Sequence, residues 1–366
     1  MTYDFLIVGA GWFGSTFARL ATDAGKKCLI IDKRNHIAGN AYTQKLYGID
    51  VHVYGPHMFH TNNERIWEFV NKFSEFIPYK HTPVAFGADH HLYPLPFTMN
   101  TFHKMWGISD PEEAKAKIDS QKPTLNGKPK NLEEQAIQMV GTDLYELLIK
   151  EYTAKQWNTD PKNLPASIIR RLPVRFDWET NYFGDDKFCG VPKNGYTELF
   201  EHLLKGVDIK LNVDYHDHSE LKTIADVTIY TGGIDRFYDY CFGELEYRSL
   251  RFEHEILNMP DYQSRAIVNY CTKDVSFTRL MEHKHFTNAK SDVTIITKEY
   301  PQDWNKTVEP YYPIASQKNK NLYDKYYKLS KMNDRVIFGG RLGEYQYYDM
   351  HQVVGSAMSL AKRILN

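Results

Sequence analysis

Apolar and polar positions follow three different periods along this chain, and each predicts a different element. Phe5-Leu6-Ile7-Val8 and Cys28-Leu29-Ile30-Ile31 are unbroken apolar runs, the pattern of strands covered on both faces. The residues between them read as a helix. Asn62 or Asn63 is placed to cap a helix running through Trp67, Phe69 and Phe73. Residues 79–97 alternate and carry three prolines, as short antiparallel strands would. From Asn100 to Ile149 the period becomes helical, with Ala136, Ile137, Val140, Leu144, Leu147 and Leu148 on one stripe. Asp110-Pro111-Glu112-Glu113 and Asn131-Leu132-Glu133-Glu134 are helix starts.

Beyond a proline-bounded stretch, Leu199, Leu203 and Leu204 restore helical spacing, and 207–213 and 226–230 read as strands. Alternation then dominates from Leu250 to about Thr297, which predicts a mostly antiparallel sheet. His283 and His285 would share one face of it. Arg335 to Phe338 reads as a buried strand. Asp349 is placed to cap a last helix carrying Met350, Val353, Val354, Ala357, Leu360 and Ala361.

The first two apolar runs enclose Gly9-Ala10-Gly11-Trp12-Phe13-Gly14, and Asp32 closes the second. Strand, glycine turn, helix, strand and acid in this order make the dinucleotide-binding fingerprint of a Rossmann-like unit. Gly9 permits the tight turn, Gly11 lets backbone approach a pyrophosphate, and Gly14 lets helix lie close on strand. The diphosphate would sit at the helix N-terminus, with Asp32 accepting from ribose hydroxyls. A further glycine, Gly39, lets the chain turn back over a cofactor that continues past the diphosphate. That extension favours FAD over NAD. The expected class is α/β: an FAD-binding domain from 1–78, 186–245 and 325–366, a helical insertion at 98–180, and a mostly antiparallel sheet domain from 79–97 and 246–324.

Length and charge narrow the picture. With 366 residues, two or three domains are expected. A net charge of −1 argues against a nucleic-acid partner. The four cysteines show no C-x-x-C spacing, so neither a disulfide framework nor a zinc site is expected and a reducing cytoplasm fits. No signal peptide and no membrane span is expected. Twenty-six tyrosines supply phenols suited to sugars, bases and phosphates, although core packing is the simpler reading for any one of them. His57 and His60 are a metal pair without a third ligand, imidazoles near a cofactor ring, or structural histidines. After Tyr152 to Trp157, Pro161 and Pro165, the stretch Arg170-Arg171-Leu172-Pro173-Val174-Arg175-Phe176 reads as a basic loop that either closes over an anion or is merely solvated.

Several of these segments together resemble bacterial UDP-galactopyranose mutases over nearly the whole chain. The resemblance rests on the glycine turn with Asp32 and Gly39-Asn40, on 55–61 (Gly-Pro-His-Met-Phe-His-Thr), and on 151–157 (Glu-Tyr-Thr-Ala-Lys-Gln-Trp). It extends through 171–175, 181–183, 231–236, 278–286, 309–313, 340–342 and 347–350. Gly233 departs from it, standing where the family often has proline. The family implies interconversion of UDP-galactopyranose and UDP-galactofuranose by reduced FAD. Flavin N5 attacks the anomeric carbon, UDP leaves, and no net redox change results.

By the same resemblance Arg171, Arg279 and His60 are the expected catalytic residues. The substrate site is expected to hold Tyr152, Thr153, Trp157, Arg171, Tyr182, Arg279, Tyr312, Tyr347 and Asp349. The cofactor site is expected to hold Gly9, Gly11, Phe13, Gly14, Asp32, Lys33, Gly39, Asn40, His57, His60, Val213, Thr231, Gly232, Arg341, Asp349 and Met350. A mobile substrate loop carrying Trp157 and Arg171, a reductant such as NAD(P)H, a cytoplasmic homodimer and supply of galactofuranose to cell-surface polysaccharide complete the expectation. An FAD-dependent amine or alcohol oxidoreductase on the same fold is the alternative.

Overall fold

The computed structural model describes residues 2–170 and 172–365. The apolar runs at the start form the centre of a five-stranded parallel sheet in the order Asp208–Leu211, Cys28–Asp32, Tyr3–Val8, Ala225–Tyr230 and Val336–Phe338. Leu6, Ile7, Ile30 and Ile31 are fully buried, as strands covered on both faces require. The edge strand Val336–Phe338 differs from its reading as buried. Val336–Phe338 is only half-buried, and Ile209 is 36% exposed. Both edge strands have a neighbour on one side only. The helix Trp12–Asp23 lies on this sheet, and the last helix, Met350–Leu365, packs against it through Ala357, Leu360 and Ala361.

The alternating region builds a second sheet of seven strands, in the order Tyr312–Pro313, Tyr247–Leu257, Thr294–Asp303, Arg279–Glu282, Ile267–Tyr270, Val84–Phe86 and Leu92–Pro94. It is antiparallel except where Val84–Phe86 runs parallel to Ile267–Tyr270. Phe76–Pro78 lies instead in a small sheet with Phe59–Thr61 and Phe188–Pro192. His283 and His285 do not share a strand face. They lie on a 3₁₀ turn, His283–Phe286, because the strand ends at Glu282.

The helical segment holds Met99–Trp106, Pro111–Asp119 and Leu132–Leu144. The caps read from sequence are in place. Asn63 Oδ1 accepts from Ile66 N–H, Asp110 Oδ1 from Glu112 and Glu113 N–H, and Asn131 Oδ1 from Glu134 N–H. Gly141 breaks the third helix with φ +79°, and a π-helical turn, Tyr145–Ile149, leads into the helix Lys150–Trp157. Such turns gather at functional sites. Asp349 stands directly before Met350–Leu365, as expected of its cap, and its carbonyl accepts from Val353 N–H at 3.1 Å. Gln352 Oε1 accepts from Asp349 N–H at 2.8 Å.

Candidate active site

Where the parallel strands end, an open cleft of about 1100 Å³ is lined by Gly9, Gly11, Asp32, Lys33, Gly39, Asn40, Val213, Thr231 and Gly232. Gly9 takes φ +109°, and a Cβ there would lie 2.1 Å from Thr231 Oγ1. A Cβ on Gly14 would lie 2.1 Å from the Gly9 carbonyl oxygen. Gly11 differs. A Cβ on it would meet only Gly39 Cα at 3.8 Å, so two bare backbones face each other across a cradle at the helix N-terminus. Asp32 Oδ2 accepts from Ala10 N–H at 2.8 Å and Oδ1 from Arg34 N–H at 2.9 Å. This fixes a carboxylate that still has lone pairs for ribose hydroxyls. Lys33 and Arg34 reach Glu309 at 2.6 and 3.5 Å, and Arg34 donates to Asn40 Oδ1. Glycine cradle, anion-facing helix end and ribose acid fit the adenosine diphosphate part of FAD.

The remaining expected cofactor residues lie around that cleft. Phe13 is buried in the core, and a Cβ on Gly339 would come within 2.1 Å of its ring. Its side chain therefore faces the last strand rather than the cleft. His57 Nδ1 bonds the Gly55 carbonyl at 2.7 Å. Burial, with Arg341 nearby, pushes His57 down to about 4, so the ring is neutral at neutral pH. His60 Nδ1 bonds Asp186 Oδ2 at 2.5 Å and its ring stacks on Phe183, with centroids 3.8 Å apart. The His351 ring stands 5.3 Å from it, edge to face, which brings the start of the last helix, beside Met350 and Asp349, against the Phe59–Thr61 strand.

Beside the cofactor cleft, a cationic, phenol-rich cluster forms from four separate elements. Arg279 opens its strand and donates through Nη2 to the Tyr152 hydroxyl at 3.4 Å, while Nη1 stands 3.6 Å from Glu299. Its buried Nε–H has no partner among the described residues. Burial opposes the Arg279 charge, but Glu299 and Tyr152 outweigh it and raise the pKa. Tyr312 and Tyr347 stack with centroids 5.6 Å apart, and the Arg341 guanidinium lies 5.3 and 5.5 Å from the two rings. Arg341 is held by the carbonyls of Tyr311 and Tyr348. Burial raises Tyr312, which feels both Arg279 and Arg341, so its phenol is a neutral donor between two fixed cations. Thr153 is buried beside Tyr152, and Trp157 packs on the helical core. Tyr182 stands near His81, with ring centroids 5.6 Å apart. Arg171 lies outside the described residues.

Three residues of this neighbourhood escape sequence reading. Glu299 is 3% exposed and accepts from the Thr278 hydroxyl as well as facing Arg279. His81 is 7% exposed, with Nδ1 unpartnered among the described residues, and both Arg279 and His60 act on it electrostatically. Asp186 anchors His60 and also accepts from Asn62. Glu299 is one of two acids on the strand Thr294–Asp303, and His81 sits among prolines. Only the tertiary pairing singles them out. Asp261, Glu282 and His285 also converge, but both Glu282 oxygens already accept, from Tyr262 N–H, Gln263 N–H and the Thr294 hydroxyl.

An arginine fork with a spare N–H, ringed by neutral phenols, is suited to phosphate oxygens. Comparison with known proteins agrees. The family model described as UDP-galactopyranose mutase matches residues 147–347, and one for an NAD(P)-binding Rossmann-like domain matches 7–73. A dTDP-fucopyranose mutase of Escherichia coli is 40% identical, over 98% of this chain and 97% of its own length. A protein of Klebsiella pneumoniae named "Probable UDP-galactopyranose mutase" is 38% identical, over 99% and 95%. A crystal structure of reduced UDP-galactopyranose mutase shares the fold, with a TM-score of 0.79 at 14% identity, over 100% of this chain and 94% of that one. The chain belongs to the UDP-galactopyranose mutase family.

Proposed function

We propose that this protein interconverts UDP-galactopyranose and UDP-galactofuranose, with reduced FAD as its resident cofactor. The observation that carries the reading is the convergence of Arg279, Tyr152, Tyr312 and Arg341 beside the glycine cradle. Reduced FAD supplies an electron-rich centre able to displace the nucleotide from the anomeric carbon. The protein's own residues handle the leaving group. Charge builds on the diphosphate as UDP departs, and the Arg279 fork and the Tyr312 and Tyr347 hydroxyls are donors fixed before that charge appears. His57, neutral and tied to Gly55, would orient its other nitrogen toward the cofactor, and Asp186 holds the His60 ring in one orientation. Arg171, Tyr182 and Asp349 complete the substrate site in this reading. Residues 1–78, 186–245 and 325–366 carry the cofactor, 98–180 the closing segment, and 79–97 with 246–324 the sheet presenting Arg279 and Tyr312.

The test is direct. The yellow protein is reduced with dithionite under argon and given UDP-galactofuranose, and UDP-galactopyranose is sought by chromatography. Conversion without stoichiometric flavin oxidation is expected. Hydride removal from the sugar would instead make the protein an oxidoreductase. The E. coli relative's name favours a second reading, a thymidine-diphosphate 6-deoxyhexose as substrate. Parallel assays with dTDP-fucopyranose and UDP-galactopyranose separate the two by kcat/KM. We further infer a cytoplasmic homodimer, reduced by a donor such as NAD(P)H, that supplies galactofuranose to cell-surface polysaccharide. Four free cysteines suit a reducing compartment, and no helix among the described residues is long and apolar enough to cross a membrane.

A further inference from the structure

The helix Lys150–Trp157 holds a half-buried cation for which the reaction gives no role. Lys155 Nζ donates to the carbonyls of Tyr270 at 2.9 Å, Val275 at 3.1 Å and Phe277 at 2.9 Å. An ammonium has three N–H donors, and all three are used. Lys155 has no ion pair among the described residues and is tied wholly to main chain. Burial pushes it down to about 8, so it is charged at neutral pH.

Val275 and Phe277 lie in the turn between the strands Ile267–Tyr270 and Arg279–Glu282, and Tyr270 ends the first of them. Tyr270 and Phe277 bracket that turn, and Phe277 stands two residues before Arg279. On the helix, Tyr152 precedes Lys155 by three residues, which places both on one face. Tyr152 is also the phenol that accepts from Arg279. One helix face thus grips the turn twice, once through its carbonyls and once through the guanidinium at its end. The helix cannot drift from the sheet to relax this grip. Arg248 Nη2 donates to the Gln156 carbonyl at 2.9 Å, and Asn158 donates to Asp303 at 3.0 Å.

We propose that Lys155 is a positioning residue for Arg279, its ammonium gathering the turn's carbonyls so that the guanidinium is presented to the diphosphate at a fixed distance from Tyr152. The proposal rests on the diphosphate reading of the site. It separates Lys155 from a lysine that merely stabilises the fold, because its effect must pass through the Arg279 fork.

A double-mutant cycle tests that coupling. UDP affinity and turnover are measured for wild type, Lys155→Met, Arg279→Lys and the double variant, each checked for flavin absorbance. Lys155→Met is expected to keep its flavin and weaken UDP binding about tenfold. In the Arg279→Lys background the same change is expected to cost less than about twofold. Equal losses in both backgrounds, or none in either, overturn the proposal. Should Lys155→Met not yield a folded flavoprotein, Lys155→Gln, which keeps two N–H donors, runs through the same cycle with the same criteria. Wild type that binds neither UDP nor dTDP defeats the functional reading itself. Wild type that binds and turns over, beside a Lys155→Met that matches it, defeats only the role of Lys155.

Discussion

Arg279 concentrates the chemistry at the scale of single residues. Its guanidinium touches Tyr152 and faces Glu299, and its Nε–H is left over. A lysine would keep the charge and lose the fork. Arg279→Lys is therefore expected to retain flavin while kcat falls roughly 10²–10³-fold, measured by the chromatographic assay; an unchanged rate would exclude a geometric role. The glycines make a second residue-scale prediction, because Gly14 and Gly11 should fail differently. Alanine at 14 would press on the Gly9 carbonyl and on Ile7, whereas alanine at 11 has room but fills the cradle. Gly14→Ala should lower both thermal stability and flavin content. Gly11→Ala should keep wild-type stability without flavin and lose cofactor affinity. Equal behaviour of the two variants in absorbance and melting experiments would contradict the cradle.

At the scale of elements, the proposed closing segment is expected to hinge after Asn158. The helix before it is fastened to the sheet through Lys155, Gln156 and Asn158. Trp157, expected on a mobile loop, ends that helix. Limited proteolysis should cut between 159 and 175 in the free protein and slow several-fold with UDP. Cleavage within 150–157, or no protection by UDP, would count against this hinge.

What the sequence discloses at this scale is uneven. Periods, caps and the glycine turn are local, so the central parallel strands and three helix starts are readable from a few neighbouring residues. The parallel pairing of Val84–Phe86 with Ile267–Tyr270 joins segments far apart in the chain. It depends on register, which no local pattern fixes. The same holds for His81 and Glu299. Each has an ordinary sequence setting and an uncommon place. The turn at 283–286 defeats a local pattern because His283 and His285 keep a spacing of two after the strand has ended at Glu282.

The whole molecule stores neutral imidazoles. Burial pushes His57 to about 4, and His81 and His283 to about 3, with His52 lowered as well. In the unfolded chain these rings titrate near ~6.5. Between those values the unfolded state binds protons that the folded state refuses, so stability is complete above the unfolded value and falls as pH drops through it. The urea midpoint is expected to be lower at pH 5 than at pH 7.5. A midpoint that holds or rises on acidification would mean these rings are not kept neutral by the fold.

The parallel sheet has one more consequence, for how the polypeptide is made. Its central strand, Tyr3–Val8, is synthesised well before one neighbour, Ala225–Tyr230, and before the outer strand, Val336–Phe338. Phe13, at the start of the first helix, lies against Gly339 and Gly340, more than 300 residues later. A nascent chain must therefore keep its first apolar runs waiting until these later strands have been made. Flavin capture should then be a late event that follows synthesis of Val336–Phe338.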